Sequence, residues 1–298
     1  MKNCGLIIIN AVYKSKSTIY QVNRITEEFK KLSIKIDTLE NNLLLGLIED
    51  GDIKTTIQNK YDFVIFLDKD INLCYMLEKL GMRVFNRAKA IEICDDKMKT
   101  HIKLSGFNIN MPKTIRGLVT YIYDDKLQNK IASDLERELK YPFILKESHS
   151  SLGLGVYLIP NKDVFSILYV KEFNKPHLYQ ELIKTSIGKD VRLILVNKKV
   201  VACMKRESTN GDFKSNIALG GTATKFSSNN ANIMAEKIAS ILDLDYCGID
   251  LLFGSNENEF YLCEVNSNAY FEKIEEVTNV NVAESYASYI YDEIYKKY

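Results

Sequence analysis

Short apolar runs alternate with amphipathic stretches through the first ninety residues. Residues 5–9, 34–39 and 62–67 read as buried strands, and 83–86 as a shorter one. Between them, 18–31 and 71–80 carry helical periodicity; in the first, Ile19, Val22, Ile25 and Phe29 recur at three-to-four spacing. Strands alternating with helices predict right-handed βαβ units and a parallel sheet, an α/β lobe. Residues 95–104 read as a further helix, with Asp95 and Asp96 favourable in its first turn.

The pattern then changes. Pro142 opens the run 143–147; a Ser/Gly loop over 148–155 and the apolar run 156–159 follow, predicting a hairpin with a mobile tip. Residues 178–183, 190–196 and 200–206 read as strands, with 197–199 as the turn between the last two. Residues 229–242 form a helical stretch with Ile233, Ile238, Ile241 and Leu242 on one face. Two strands follow, 247–253 and 260–266, joined by a polar turn over 254–259. A closing helix over 283–295 carries a Tyr stripe that suits core packing. The expected division is 1–96, an α/β lobe; 97–178, a central lobe with a Gly-rich flap; and 179–298, a sheet-rich α+β lobe.

Composition narrows the function classes. Forty Lys and Arg face 39 Asp and Glu in 298 residues, so no charge-driven partner such as nucleic acid or an anionic membrane is indicated. The six cysteines form no C-x-x-C pair and stand near no His cluster, which disfavours disulfide and zinc readings. The first apolar run is too short for a signal-peptide core or a bilayer span, and a cytoplasmic location is expected. No glycine-rich dinucleotide fingerprint follows the first strand, which argues against a dehydrogenase.

The chemistry concentrates in two strands. Side chains alternate along a strand, so Glu264 and Asn266 share a face. A hairpin turn centred near Glu257 sets Asp250 opposite Glu264. Two carboxylates and an amide oxygen on one face of an apolar hairpin suit a hard cation, with water and phosphate completing its shell as Mg²⁺ prefers. The alternative is a solvated sheet face whose acids pair with lysines. Lys146 at a strand end, followed by Ser148-His-Ser-Ser-Leu-Gly-Leu-Gly155, offers a cation and small residues (Ser151, Gly153, Gly155) whose N–H groups can approach a triphosphate. Gly188-Lys-Asp190-Val-Arg192 and Lys205-Arg206 add further charge, and Gly211-Asp-Phe-Lys214-Ser215-Asn216 precedes Gly220-Gly221. Cations near a nucleotide neutralise charge developing in phosphoryl transfer, although Asp and Arg on one strand are also a common structural pair.

In this order and spacing, Asp190-x-Arg192, Gly-Asp-Phe-Lys-Ser-Asn, Gly-Gly, Gly-x-Asp250 and Glu264-Val-Asn266 resemble the ATP-grasp superfamily, and within it the RimK-like α-L-glutamate ligases. The resemblance runs from Asp95-Asp-Lys97 to about residue 290; the first lobe is similar only as a generic pre-ATP-grasp domain. It implies an ATP-grasp architecture and a ligase that uses ATP with Mg²⁺ (Mn²⁺ able to substitute) to join a carboxylate to an amine through an acyl phosphate. The carboxylate belongs to a small molecule, a peptide or a protein C-terminus, the amine to an amino acid, and a homo-oligomer is compatible. It further implies that Asp250, Glu264 and Asn266 hold the metal and that Lys97 and Lys146 bind phosphate. Glu181 and Leu182 become the hinge that receives adenine, Asp190 sits at the nucleotide's edge, and Lys214, Ser215 and Asn216 contact the nucleotide. Arg206, with Arg192, supplies positive charge near the transferred phosphate.

Two departures bear on the substrate. Leu219 stands where these ligases carry Arg, and Ser267-Asn-Ala-Tyr-Phe271 replaces the usual continuation after Glu-Val-Asn. Losing a bidentate clamp for a carboxylate beside new aromatic surface predicts a neutral or apolar amino acid, or a peptide segment, over glutamate as the amine, unless Lys205 or Lys273 supplies the charge. Other readings are a ligase acting on a ribosomal peptide, a dipeptide synthetase, and a nucleotide-binding regulator without the chemistry.

Overall fold

The computed structural model describes residues 2–57, 60–151, 153–209, 211–215, 221–256 and 258–296. Three sheets carry the site, each with its own reason to form. The first is parallel. β1 (Cys4–Ile9), β2 (Lys35–Glu40), β5 (Phe63–Leu67) and β6 (Val84–Phe85) lie in the order β2-β1-β5-β6, with α1 (Lys16–Lys31) and α2 (Ile71–Lys79) as crossovers. β1 and β5 are buried along almost their whole length, as expected for central strands of such a sheet. β2, expected to be buried, is a half-exposed edge strand, because β1 covers only one side of it. A small hairpin of β3 (Gly46–Glu49) and β4 (Asp52–Thr55), not read from the sequence, follows β2.

α1 also turns differently from its apolar spacing. Ile25 and Phe29 are buried, but Ile19 is exposed, and the inner face includes Thr18, Gln21 and Glu28. Those polar residues reach partners in the third lobe. Gln21 donates to the Ala269 carbonyl at 3.3 Å, and Arg24 joins Glu28 to Glu275. The helix expected over 95–104 is α4 (Lys97–Leu104), and a helix not read from the sequence, α3 (Ala88–Asp95), precedes it. Asp96 breaks them: its backbone is extended and its carboxylate caps α4 by accepting from Met98 and Lys99 N–H groups.

The second sheet runs β7 (Thr114–Arg116), β10 (His177–Glu181), β8 (Phe143–Glu147), β9 (Val156–Ile159), all antiparallel. α5 (Asp125–Leu139) and α6 (Lys162–Glu172), absent from the sequence reading, pack on one of its faces around Phe143, Phe165 and Tyr179. β10 belongs to this sheet, so the division expected at 178/179 falls inside a strand.

The third sheet is β13-β12-β11-β14-β15, again antiparallel: β11 (Lys189–Val196), β12 (Lys199–Glu207), β13 (Thr222–Lys225), β14 (Tyr246–Phe253) and β15 (Phe260–Asn266). Val191, Leu193, Leu195, Ile249 and Leu251 alternate onto one face and bury against α7 (Asn229–Ile241). In α7 the buried stripe is Ala231, Ala235, Ile238 and Ala239; Ile233, expected on it, is exposed. The three small alanines let the helix lie close to the sheet.

α8 (Glu272–Thr278) and α9 (Val282–Tyr291) pack with α1 between the first and third sheets, and Tyr286 of the Tyr stripe is core, as expected. Asn86, 2% exposed, fastens the two lobes. Its amide donates to the Tyr246 and Ser267 carbonyls and accepts from the Asp245 and Tyr246 N–H groups, at 2.7–3.0 Å. No described helix is long and apolar enough to cross a membrane.

Candidate active site

A cleft of about 440 Å³ opens where the three sheets meet. Its third-sheet wall is the face opposite α7. Register fixes what that face carries: Asp190 pairs with Arg206, Arg192 with Asp250, and Asp250 with Glu264. Cross-strand partners share a face, so these five side chains and Asn266 project together. Gly248, the glycine two residues before Asp250, pairs with Asn266; a Cβ there would sit 2.5 Å from that of Ala269, so the close packing needs glycine.

A bulge makes the pairing of Asp250 with Glu264 possible. From the turn, Phe253 pairs with Phe260 and Leu251 with Leu262, but the next pair is Asp250 with Glu264. Cys263 is therefore an extra residue, and both Cys263 and Glu264 line the cleft. Burial, partly offset by Lys146, raises the Cys263 thiol to about 11, which keeps it a neutral, poor nucleophile.

The carboxylates are compensated, unlike the repelling cluster the spacing suggested. Asp250, 4% exposed, accepts from Arg192 Nε at 2.7 Å and Nη2 at 2.6 Å, and lies 3.0 Å from Arg206 Nη2. Arg206, also buried, forks onto Asp190 at 2.7 and 2.5 Å. Burial alone pushes the Asp250 carboxyl up, but Arg192 and Arg206 outweigh it and hold the carboxyl well below its usual range. Arg206, expected as a free cation near the phosphate, is instead shared between two carboxylates, and Arg192 is held by one. Glu264 meets Lys97 Nζ at 3.2 Å.

Across the cleft stands Lys146 of β8, on the same strand face as Ile144. It is 7% exposed, and its ammonium makes no hydrogen bond or ion pair among the described residues. Lys97 starts α4, where the break at Asp96 aims it at the flap: its ammonium donates to the Ser150 carbonyl and its N–H to that of Ser148 at 3.1 Å. The flap leaves β8 at Glu147 and returns at Val156. Gly155 holds φ +64° and a Cβ there would meet Glu147 Cδ at 2.8 Å. Ser151 and Gly153 line the cleft, and the Gly153 carbonyl accepts from Lys214 Nζ at 3.2 Å.

Glu181 ends the second sheet, and Leu182 begins the crossing to the third; both line the cleft, with Ser215. Glu181 is fixed by Lys113, whose carbonyl takes its N–H at 3.0 Å and whose N–H donates to its carboxylate at 2.7 Å. Asn216, Leu219 and Gly220 lie outside the described residues. Phe271, expected near the acceptor pocket, is fully buried between Tyr20 and Tyr246. Tyr270 does line the cleft and shares a 3.0 Å hydrogen bond with Thr18. Lys273 pairs with Glu276 and Lys205 with Glu207.

Among the described residues no cluster of three or more His, Cys, Asp or Glu could hold a metal. The donor set of Glu264 and Asn266, with Asp250 across from Glu264, nevertheless fits Mg²⁺, which takes few protein oxygens and fills its shell with water and phosphate. Asn266 Nδ2 is buried without a partner, so the amide has unused hydrogen-bonding capacity at that place.

Sequence reasoning missed the first lobe's contribution. Asn10, Thr18, Asp68 and Lys69, at the carboxyl ends of β1 and β5 and in α1, complete the cleft. Ligands gather at such strand ends in parallel sheets, which was the signal available.

Residues 94–290 match the RimK-like ATP-grasp domain. N-acetylaspartylglutamate synthase A of Homo sapiens is 34% identical over 74% of this chain and 56% of its own length. A probable alpha-L-glutamate ligase of Saccharophagus degradans is 34% identical over 69% of this chain and 66% of its own. The chain thus spans little more than half the length of the first of these relatives. The crystal structure of a RimK domain ATP-grasp protein from Sphaerobacter thermophilus superposes with a TM-score of 0.71, covering 95% of this chain and 98% of that one at 16% identity, a likeness of fold.

Proposed function

Because the chain belongs to the RimK-like ATP-grasp family, we propose that it is an ATP- and Mg²⁺-dependent carboxylate–amine ligase. The observation that carries the reading is Lys146, whose ammonium opens into the cleft lined by Glu264 and Asn266 and has no hydrogen bond or ion pair among the described residues. An unpaired cation on the wall of a narrow cleft attracts an anion brought by a substrate. Phosphate between Lys146 on one sheet and a cation held by Glu264 and Asn266 on the other fits both walls.

Leu182 and the apolar Ile144, Val156 and Leu252 provide the seat for the base. Lys97, Lys146 and Lys214 face the phosphates, and the flap from 148 to 155 covers them, with Lys97 and Lys214 already tied to it. Bound Mg²⁺ neutralises phosphate oxygens and favours their alignment for transfer. The substrate carboxylate oxygen attacks the γ-phosphorus, ADP leaves, and an acyl phosphate forms. The amine then attacks the acyl carbon, phosphate leaves, and an amide results. No protein nucleophile is needed, because the residues position the groups and neutralise charge. Arg192 and Arg206 act by holding Asp250 and Asp190 in place.

Glutamate is the first amine to test, since the names of both relatives carry it and Phe271, part of the case against it, is core. The decisive assay is ADP release by the full chain with L-glutamate, L-alanine or L-leucine and a panel of carboxylates that includes N-acetylaspartate and citrate. Hydroxylamine in place of the amine should trap a hydroxamate. AMP and pyrophosphate as products would refute the acyl-phosphate route.

A further inference from the structure

Among the described residues, three buried polar atoms that lack a partner belong to residues lining this one cleft: Asn266 Nδ2, Asn268 Oδ1 and Asp68 Oδ2. The first lies among the proposed metal ligands. The other two are acceptors, and nothing in the nucleotide chemistry uses them. Asp68 follows β5 and is 8% exposed. Its Oδ1 accepts from the Lys69 N–H at 2.7 Å and from Asn10 Nδ2 at 3.2 Å. The neighbouring cation does not serve it, because the Lys69 ammonium is paired with Asp95. A buried carboxylate oxygen without a donor is a costly arrangement in the free protein.

Asn268 approaches from the other lobe. It lies two residues past β15, next to Ala269, whose carbonyl accepts from Gln21 of α1. The third lobe meets the first there, and the orphan carboxylate oxygen of one lobe and the orphan amide oxygen of the other both line the cleft.

We propose that Asp68, with Asn268, seats the ammonium group of the amine substrate. Two orphan acceptor oxygens, one of them on a carboxylate, favour a group rich in N–H over a second carboxylate or a phosphate. An ammonium, with three donors and a positive charge, satisfies both and neutralises Asp68. The placement suits a ligase: the amine approaches from the first lobe while the acyl phosphate forms beside Glu264. The inference rests on the ligase reading for the identity of the group, and it makes Asp68 a specificity residue.

The test is calorimetric titration of the full chain, saturated with a non-hydrolysable ATP analogue and Mg²⁺. L-Glutamate, L-alanine and L-leucine are each compared with their N-acetylated forms, which lack the ammonium. At least one free amino acid should bind about tenfold or more tighter than its acetylated form. Asp68→Asn, near-isosteric and checked by its melting temperature, should abolish that preference. Asn268→Leu should reduce it several-fold, and Asp68→Glu should restore part of it. Equal binding of free and acetylated forms by the wild type, binding of none included, overturns the proposal, as does a preference that survives in Asp68→Asn. Absence of ADP release with every carboxylate would instead sink the ligase reading, and the titration would still decide the seat.

Discussion

Asp250 and Glu264 face one another across β14 and β15 because Cys263 is an extra residue in the ladder between them. Without that bulge Glu264 would pair one position along and turn toward α7. The two carboxylates are also unequal. Asp250 is buried under two guanidiniums, whereas the Glu264 side chain is a quarter exposed beside one lysine. Glu264→Gln should therefore lower Mg²⁺-dependent turnover at least a hundredfold with little change in melting temperature. Asp250→Asn should lower turnover and also destabilise the fold by about 2 kcal/mol or more, because it leaves Arg192 without its carboxylate and Arg206 with one of its two. ADP-release rates set beside thermal melts of both variants check this; equal stability of the two would contradict it.

The pairing itself was legible in the sequence, though by a different route. A turn centred near Glu257 gives Asp250 opposite Glu264, whereas the observed turn pairs Phe253 with Phe260 and the bulge restores the register. Strand positions were readable wherever apolar runs were short and bounded, as in β1, β5 and β11. What single-sequence periodicity could not give was which polar residues would be buried: Gln21, Glu28 and Asn86 face inward because another lobe supplies their partners. The break at Asp96 was hidden for the same kind of reason, since Asp suits both a first helical turn and an N-cap.

Lys146→Met should abolish ATP turnover while leaving the free protein as stable as the wild type or more so. The substitution removes a cleft-facing charge that has no partner among the described residues until phosphate arrives, and keeps the apolar stem. Urea unfolding with and without a nucleotide analogue tests it. The expected result is loss of nucleotide-induced stabilisation in the variant, and a variant still stabilised to the wild-type extent would remove Lys146 from the phosphate site.

Gly155→Ala should impair the flap without unfolding the chain. The position has φ +64° and a new Cβ would press on Glu147 at 2.8 Å. Alanine there costs about 1 kcal/mol in backbone strain alone, and the clash adds to it at the base of the hairpin. The apparent KM for ATP should rise several-fold with less effect on kcat, which steady-state kinetics at saturating carboxylate and amine will show. Unchanged nucleotide affinity would mean that the flap base does not shape the site.

Asn86→Ala removes four buried hydrogen bonds between the first and third lobes. Both carbonyls and both N–H groups it served would remain buried, at a cost of about 3 kcal/mol or more. Because Ser267 is one of its partners, next to Asn266, turnover should fall as well, below the temperature at which the variant melts. A melt within a degree or two of the wild type would show that the lobes are held by their shared apolar core alone.

His101 should make the fold acid-sensitive. Its ring is 7% exposed, and burial, helped by the Lys146 charge, lowers its pKa from the ordinary value of 6.5 to about 4. The neutral ring has a defined role: Nε2 lies 3.2 Å from Gln180 Nε2, which donates to it, and Nδ1 lies 3.1 Å from Met111 Sδ. Gln180 also donates to Thr114 Oγ1 at 2.9 Å, so the imidazole ties α4 to the second sheet near the nucleotide hinge. A group whose pKa is depressed on folding stabilises the protein fully above its unfolded pKa and loses that contribution as pH falls toward the folded one. Between pH 6.5 and about 4 the unfolded chain binds a proton that the folded chain refuses, and stability should fall by roughly 3 kcal/mol from this residue alone. His101→Gln, which cannot titrate and keeps polar contacts with Gln180, should show a shallower decline over that window and the same behaviour as the wild type above pH 7. The quantity to measure is the difference in unfolding free energy between the two proteins by urea titration at pH 7.5, 6.5, 5.5 and 5.0, in which the contributions of the carboxylates cancel. A difference that does not change with pH would show that His101 is not held neutral by the fold.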